Sequence, residues 1–225
     1  MLEVLALCCA RGEREIFHDV TFSVGAGEWV HVRGENGAGK TTLLKALCGL
    51  LRPMAGAVAW NGQRVDQIRD AYHRALAYLG HATALKDDMD ASENLRAACA
   101  IADAPPVRAI GEALHILGLD PSDRAPVRTL SQGQKRRVAL ARLALTPAKL
   151  WILDEPLAAL DAGAVASVLA LLDRHLDQGG SLVLTSHQSV VLARSAREVW
   201  VGAARENGVD ESLEVGPGDS PRAAA

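Results

Sequence analysis

With 225 residues, 49% of them hydrophobic and 23% charged, the chain has the make-up of a globular protein and the length of one compact α/β domain with a subdomain. A formal net charge of -3 leaves no bulk basic field and argues against a nucleic-acid partner. No apolar run reaches the ~18 residues needed to span a bilayer, and Met1-Leu2-Glu3 opens no signal peptide, so a cytosolic chain is expected, with any membrane role supplied by a partner.

In chain order, Thr21–Val24 alternates like a half-buried strand, and Glu28–Arg33 reads as a strand running into a glycine-rich loop. Lys40–Leu50 reads as a helix, with Leu43, Leu44, Leu47 and Leu51 at three- and four-residue spacing. Gly56–Trp60 and the Asn61-Gly62 pair give a strand and a tight turn, and Ala75–Leu79 a further strand. Ser92–Ile101 and Val107–Leu117 look helical, parted by Pro105-Pro106, and Ser131–Leu145 is a third helix ending before Pro147. Ala148–Asp154 and Ser181–Thr185 are apolar runs of buried-strand length, separated by a helix at Ala162–Leu176. The pattern predicts a helical insert, roughly 86–147, in a mainly parallel sheet. Residues 1–202 form the folded part. The tail 203–225 carries two Arg against five Asp and Glu, which accounts for the whole net charge, and is expected to be disordered. Cys8, Cys9, Cys48 and Cys99 form no CxxC pair and read as buried reduced thiols.

Three motifs carry chemistry. The first is Gly34-Glu35-Asn36-Gly37-Ala38-Gly39-Lys40-Thr41, followed by Thr42. A triphosphate needs backbone N–H groups at close range and a loop without side chains to block them, which Gly34, Gly37 and Gly39 provide. Lys40 is expected to reach the β- and γ-phosphates, and the Thr41 hydroxyl to ligate Mg²⁺. The second is Leu150-Trp151-Ile152-Leu153-Asp154-Glu155, which brings two carboxylates to the end of a buried strand. Asp154 is expected to hold Mg²⁺ through water, and Glu155 to face the γ-phosphate and polarise the attacking water. The third is Leu130-Ser131-Gln132-Gly133-Gln134, 23 residues before Asp154 counted from Ser131. Taken alone, Ser131 reads as a helix cap.

With all three in this order the sequence resembles the ATP-binding-cassette ATPases over about residues 2–202. The resemblance implies a P-loop NTPase (RecA-like) core with an antiparallel β subdomain and a helical subdomain. It implies that Ser131, Gly133 and Gln134 bind the γ-phosphate of ATP held by a second copy of the chain. Gln132 departs from the usual glycine there. Asp161, in Ala159-Leu160-Asp161, resembles the dimer-contact loop. His187, in Thr185-Ser186-His187, stands where that family carries its switch histidine; a lone His is otherwise a surface residue. Lys135, Arg136, Arg137 and Arg142 read as a solvated helix face rather than a nucleic-acid patch.

Two positions depart from the family. Arg11 stands where an aromatic usually stacks on adenine, and a guanidinium plane can stack in its place. His81-Ala82-Thr83-Ala84 holds no glutamine where the family has one that touches Mg²⁺ and relays to the membrane subunit. Further phrases narrow the likeness: Ala26-Gly27-Glu28-Trp29-Val30, Arg69-Asp70-Ala71-Tyr72-His73, Tyr78-Leu79-Gly80-His81 and Ser186-His187-Gln188. They resemble the ATP-binding export subunits of cytochrome c biogenesis. That implies a membrane-spanning partner subunit, a peripheral position on the cytoplasmic face of a bacterial inner membrane, and haem export or haem-chaperone release. Rival readings are another exporter ATPase or a soluble regulatory ATPase.

Overall fold

The computed structural model describes residues 1–12, 14–102 and 106–202. The tail expected beyond Gly202, and Pro105 of the proline pair, lie outside the described residues. Two sheets carry the architecture. Strands β1 (Leu2–Arg11), β2 (Arg14–Val24), β4 (Ala55–Trp60) and β5 (Gln63–Arg64) form an antiparallel sheet in the order β2-β1-β4-β5. Strands β3 (Trp29–Arg33), β6 (Leu76–Leu79), β7 (Leu150–Asp154), β8 (Ser181–Thr185) and β9 (Arg197–Trp200) form a parallel sheet in the order β6-β7-β8-β3-β9.

The centre of the parallel sheet is buried because β3, β7 and β8 are largely apolar on both faces. Every residue of β7 and β8 is buried, as expected of strands covered from both sides. Alternation then sorts them between two cores. Trp29, Trp151, Leu153, Leu182 and Leu184 face a core shared with α5 (Gln132–Leu145) and α6 (Ala162–Asp177). Val30, Val32, Leu150, Ile152 and Val183 face a second core shared with α1 (Lys40–Leu47) and the antiparallel sheet. Helices α3 (Ala91–Ile101), α4 (Ile110–Ile116) and α5 lie between β6 and β7 in sequence, inside the segment expected to be a helical insert.

Several boundaries move. Helix α1 stops at Leu47 rather than Leu50, and the backbone turns out through Gly49 at φ +69°. Ala75 closes α2 (Arg69–Ala75), a short helix not expected from the sequence, so β6 starts at Leu76. Asp90 caps α3 through a reciprocal box with Glu93, which sets its start at Ala91. Strand β1 went unread because bulges between Val4 and Leu7 and between Leu7 and Cys9 break its alternation. Strand β9 went unread because it is short, polar and at the sheet edge. Of the four free cysteines, Cys9 and Cys48 are buried, and burial pushes the Cys9 thiol up to about 11; Cys8 and Cys99 are only half-buried, against expectation.

Since β3, β6, β7 and β8 run parallel, their carboxyl ends lie along one edge. Asp154 pairs in register with Thr185, Leu79 with Leu153, and Val32 with Thr185. The glycine loop and the strand-end carboxylates converge there, as ligand sites do in open α/β sheets.

Candidate active site

The glycine loop leaves β3 at Gly34 and enters α1 at Lys40. A Cβ on Gly39 would come within 2.3 Å of Ile16 Cγ2, and its φ of +103° is one that glycine adopts freely. The loop is thus pressed against β2 at a point where no side chain fits. Lys40 Nζ donates to the carbonyls of Gly34 (2.8 Å) and Glu35 (3.0 Å), which lays the ammonium along the loop. Glu35, Asn36 and Gly37 are exposed at its tip, and Ala38 N–H donates to the Glu35 carbonyl (3.2 Å). Thr42 is half-buried in the first turn of α1.

The two carboxylates are handled differently. Asp154 is 3% exposed and accepts from two hydroxyls: Thr41 Oγ1 at 2.8 Å and Thr185 Oγ1 at 2.7 Å. Thr41 is the residue after the loop lysine, so this bond joins the glycine loop to β7. Glu155 follows with a left-handed φ of +50°, uncommon for a residue with a Cβ. Its N–H donates to Thr185 Oγ1 (3.0 Å), and its Oε2 accepts from the His187 N–H (3.1 Å). Its Oε1 lies 3.5 Å from His187 Nε2 and is a buried oxygen with no hydrogen-bond partner among the described residues. A buried carboxylate oxygen in this position calls for a partner that a bound ligand or water would supply.

His187 is held by its neighbours. The Ser186 hydroxyl donates to the Gln188 carbonyl and accepts from the Gln188 N–H, both at 3.0 Å, closing a turn around it. The buried His31 ring in β3 lies 3.3 Å from the Ser186 carbonyl, and burial lowers its pKa from the ordinary histidine value. His187 itself is exposed.

Ser131 caps α5: its Oγ accepts from the Gln134 N–H (3.1 Å), and Gln134 Oε1 accepts from the Ser131 N–H (2.9 Å). The cap reading is therefore realised, and the Gln134 side chain is engaged in it. Ser131 and Gln132 are exposed. A Cβ on Gly133 would stand 2.7 Å from the Ala159 carbonyl, so this glycine is where α5 meets the loop holding Asp161. Asp161 caps α6 through Ala164 N–H (2.8 Å). Arg11 lies exposed at the hairpin end, paired across the strands with Arg14. His81 and Ala82 are exposed on the loop after β6.

The expectation of a solvated basic face on α5 fails. Arg136 is 5% exposed and binds carbonyls of Gly80, His81, Asp154, Glu155 and Pro156. Arg142 donates to Tyr78 O (2.8 Å), Arg137 to Gly118 O (2.9 Å), and Lys135 lies 3.8 Å from Asp87. Burial lowers the pKa of Arg136 and Arg142 from the usual range, though arginine stays charged in a protein. Sequence reasoning missed Arg136 because a run of basic residues signals a surface. It passed over Thr185, whose signal was a hydroxyl ending an apolar strand.

A phosphate-binding loop, a strand-end carboxylate pair and a histidine turn on adjoining parallel strands define the class of nucleotide-binding cassettes, and residues 17–158 match the ABC transporter family. The cytochrome c biogenesis ATP-binding export protein CcmA of Shigella flexneri is 48% identical over 195 residues, covering 87% of this chain and 93% of that protein. A solved ATP-binding subunit of an ABC transporter superposes with a TM-score of 0.75 at 30% identity, over 83% of this chain and 79% of that one. A dimeric post-hydrolysis state of an ATP-binding cassette, bound to ADP and Pi, shares the fold with a TM-score of 0.77 at 22% identity, over 90% and 94%. The chain belongs to the ABC transporter family, in the branch of the cytochrome c biogenesis ATP-binding export proteins.

Proposed function

We propose that the chain is the ATP-hydrolysing subunit of a transporter complex serving c-type cytochrome assembly, and that two copies enclose ATP between them. The observation that carries this reading is Glu155. It is a carboxylate with one oxygen tied to the His187 amide and the other buried, 3.5 Å from His187 Nε2 and without a hydrogen-bond partner among the described residues, at the end of the strand that meets the glycine loop.

The roles follow from position. The loop N–H groups and the N-terminal dipole of α1 receive the phosphates, and Lys40 turns from the loop carbonyls to the β- and γ-oxygens. Thr41 and Asp154 fit a Mg²⁺ site: a hydroxyl and a buried carboxylate already 2.8 Å apart at the loop's edge. Among the described residues no group of three or more His, Cys, Asp or Glu is placed to hold a metal ion by itself, so water and phosphate would complete the coordination, as Mg²⁺ prefers. When bound, the ion neutralises charge on the β- and γ-oxygens. Glu155 takes the proton of the attacking water, and His187 beside it steadies the γ-phosphate. The Ser131–Gln134 start of α5, with Ser131 and Gln132 exposed, is offered to the nucleotide of a second copy, with Asp161 in the adjoining loop.

No helix among the described residues is long and apolar enough to cross a membrane. The membrane-spanning part is therefore assigned to a separate subunit, with this chain peripheral on the cytoplasmic face of an inner membrane. Haem, or a haem chaperone, is the cargo in view. The test is Glu155→Gln. The amide keeps the shape and removes the base, so turnover should fall by roughly 10²–10⁴-fold while ATP affinity holds. The variant should elute as an ATP-dependent dimer on a sizing column. Wild-type turnover would remove Glu155 from its role.

A further inference from the structure

One guanidinium joins the ends of two strands beneath the carboxylates. Arg136 Nη2 donates to the carbonyls of Asp154 and Glu155, both at 2.7 Å. Its Nη1 donates to Gly80 O (2.9 Å) and His81 O (3.4 Å), and its Nε to Pro156 O (3.4 Å). A buried charge is tolerated only when its donors are satisfied, and here all three nitrogens meet carbonyls. Mere attachment of α5 to the sheet does not call for this. A well-packed apolar side chain anchors a helix without the desolvation cost of a cation.

What an arginine does that leucine cannot is orient carbonyl groups. Glu155 sits at φ +50°, a conformation that persists in a residue with a Cβ only when its surroundings over-determine it. Thr185 takes its N–H and the His187 turn takes its side chain. Arg136 takes its carbonyl, and is the one tether of the three that also reaches the loop after β6. We infer that Arg136 is a positioning residue for hydrolysis: it holds Glu155 in the left-handed conformation that turns the carboxylate to the nucleotide, and it ties that conformation to Gly80–His81. This rests on the reading of Glu155 as the base.

The experiment compares purified Arg136→Met, Arg136→Lys and Glu155→Gln with the parent protein. The readouts are kcat and KM for ATP, the melting temperature, and amide hydrogen exchange over residues 80–84. Arg136→Met should lose roughly tenfold or more in kcat with KM within about threefold, the mark of an interaction made in the transition state. Should Arg136→Met not fold, Arg136→Lys decides on the same readouts: a lysine carries the charge but not the fork, so kcat should still fall. Exchange over 80–84 should quicken in whichever variant folds. Parent kcat in a folded variant overturns the inference, as does a parallel change of kcat and KM that follows melting. Unchanged exchange over 80–84 overturns the tie to the loop. If Glu155→Gln is inert while the Arg136 variants turn over normally, only this inference falls. If Glu155→Gln turns over normally, the reading beneath it falls.

Discussion

Thr185 serves both carboxylate residues at once. Its hydroxyl donates to Asp154 Oδ1 and accepts from the Glu155 N–H, and the residue is fully buried. Valine has nearly the same shape, so Thr185→Val keeps the packing while stranding a buried carboxylate oxygen and a buried N–H. Each stranded group costs about 1–3 kcal/mol. The variant should lose stability on that order, measured by urea unfolding, and roughly tenfold or more in turnover through misplacement of Glu155. Unchanged turnover would mean that the His187 turn alone positions Glu155. Thr185 and Arg136 also mark where the sequence stopped being legible. Lys40, Thr41, Asp154 and Glu155 stand in runs whose spacing points to phosphate chemistry, and His187 is reached only through the family resemblance. The two residues that hold Glu155 stand in runs whose composition states something else, an apolar strand and a basic helix. Their partners lie 30 to 31 and 18 to 19 residues away and are set by sheet register and helix packing.

At the scale of elements, the start of α5 has two tasks that one residue must satisfy. Ser131 caps the helix, and in the proposed dimer it meets the γ-phosphate of the other copy's ATP. Ser131→Asp separates them. Aspartate caps as well as serine, and its charge suits the helix dipole, so the nucleotide-free protein should melt as before. The same charge opposes phosphate, so ATPase activity should collapse. Ser131→Ala should instead lose about 1 kcal/mol of stability. Full activity in Ser131→Asp would leave Ser131 as a cap only. The seam between β7 and α6 gives a pH prediction. His175 stacks on Trp151 with ring centroids 3.7 Å apart, and its Nε2 lies 3.2 Å from Ser181 O. Burial, before other causes, holds its pKa at about 4 against an ordinary 6.5. Between those values the unfolded chain binds a proton that the folded chain refuses. Stability from this group is full above pH 6.5 and is lost as pH falls toward 4, on the order of 3 kcal/mol in all. His175→Phe should flatten the urea midpoint against pH across that window; an identical slope would count against the assignment. Strands β7 and β8 were legible because both faces are apolar. Strands β1 and β9 were not, because bulges and an exposed edge erase the alternation that marks a strand.

For the molecule as a whole, the proposed dimer gives each chain half of two different sites. The glycine loop, Asp154 and Glu155 lie along one sheet edge, and the exposed start of α5 lies in the segment between β6 and β7. Among the described residues Ser131 binds only its own helix, and in the proposed dimer the phosphate it meets belongs to the second copy. A symmetric dimer in which each copy caps the other's nucleotide has two equivalent composite sites. Lys40→Ala should abolish tight ATP binding, because it removes the cation of the loop. Ser131→Arg should leave ATP binding to its own loop intact and block hydrolysis at the partner's. Mixed one to one, the two inactive proteins form some dimers with one subunit of each kind. In these, the intact loop of the Ser131→Arg copy faces the intact Ser131 of the Lys40→Ala copy, while both defects fall in the other site. Half of randomly paired dimers are mixed and each keeps one of two sites, so ATPase activity should rise to at most about a quarter of the parent rate if the sites act independently. The measurement is phosphate release from the separate proteins and from the mixture after exchange of subunits. A mixture no more active than its parts would mean either that both sites must be whole for turnover or that Ser131 acts only within its own chain. Nucleotide binding by the single Ser131→Arg protein tells these apart: retained binding leaves the shared site standing with coupled halves, and lost binding reduces Ser131 to the cap.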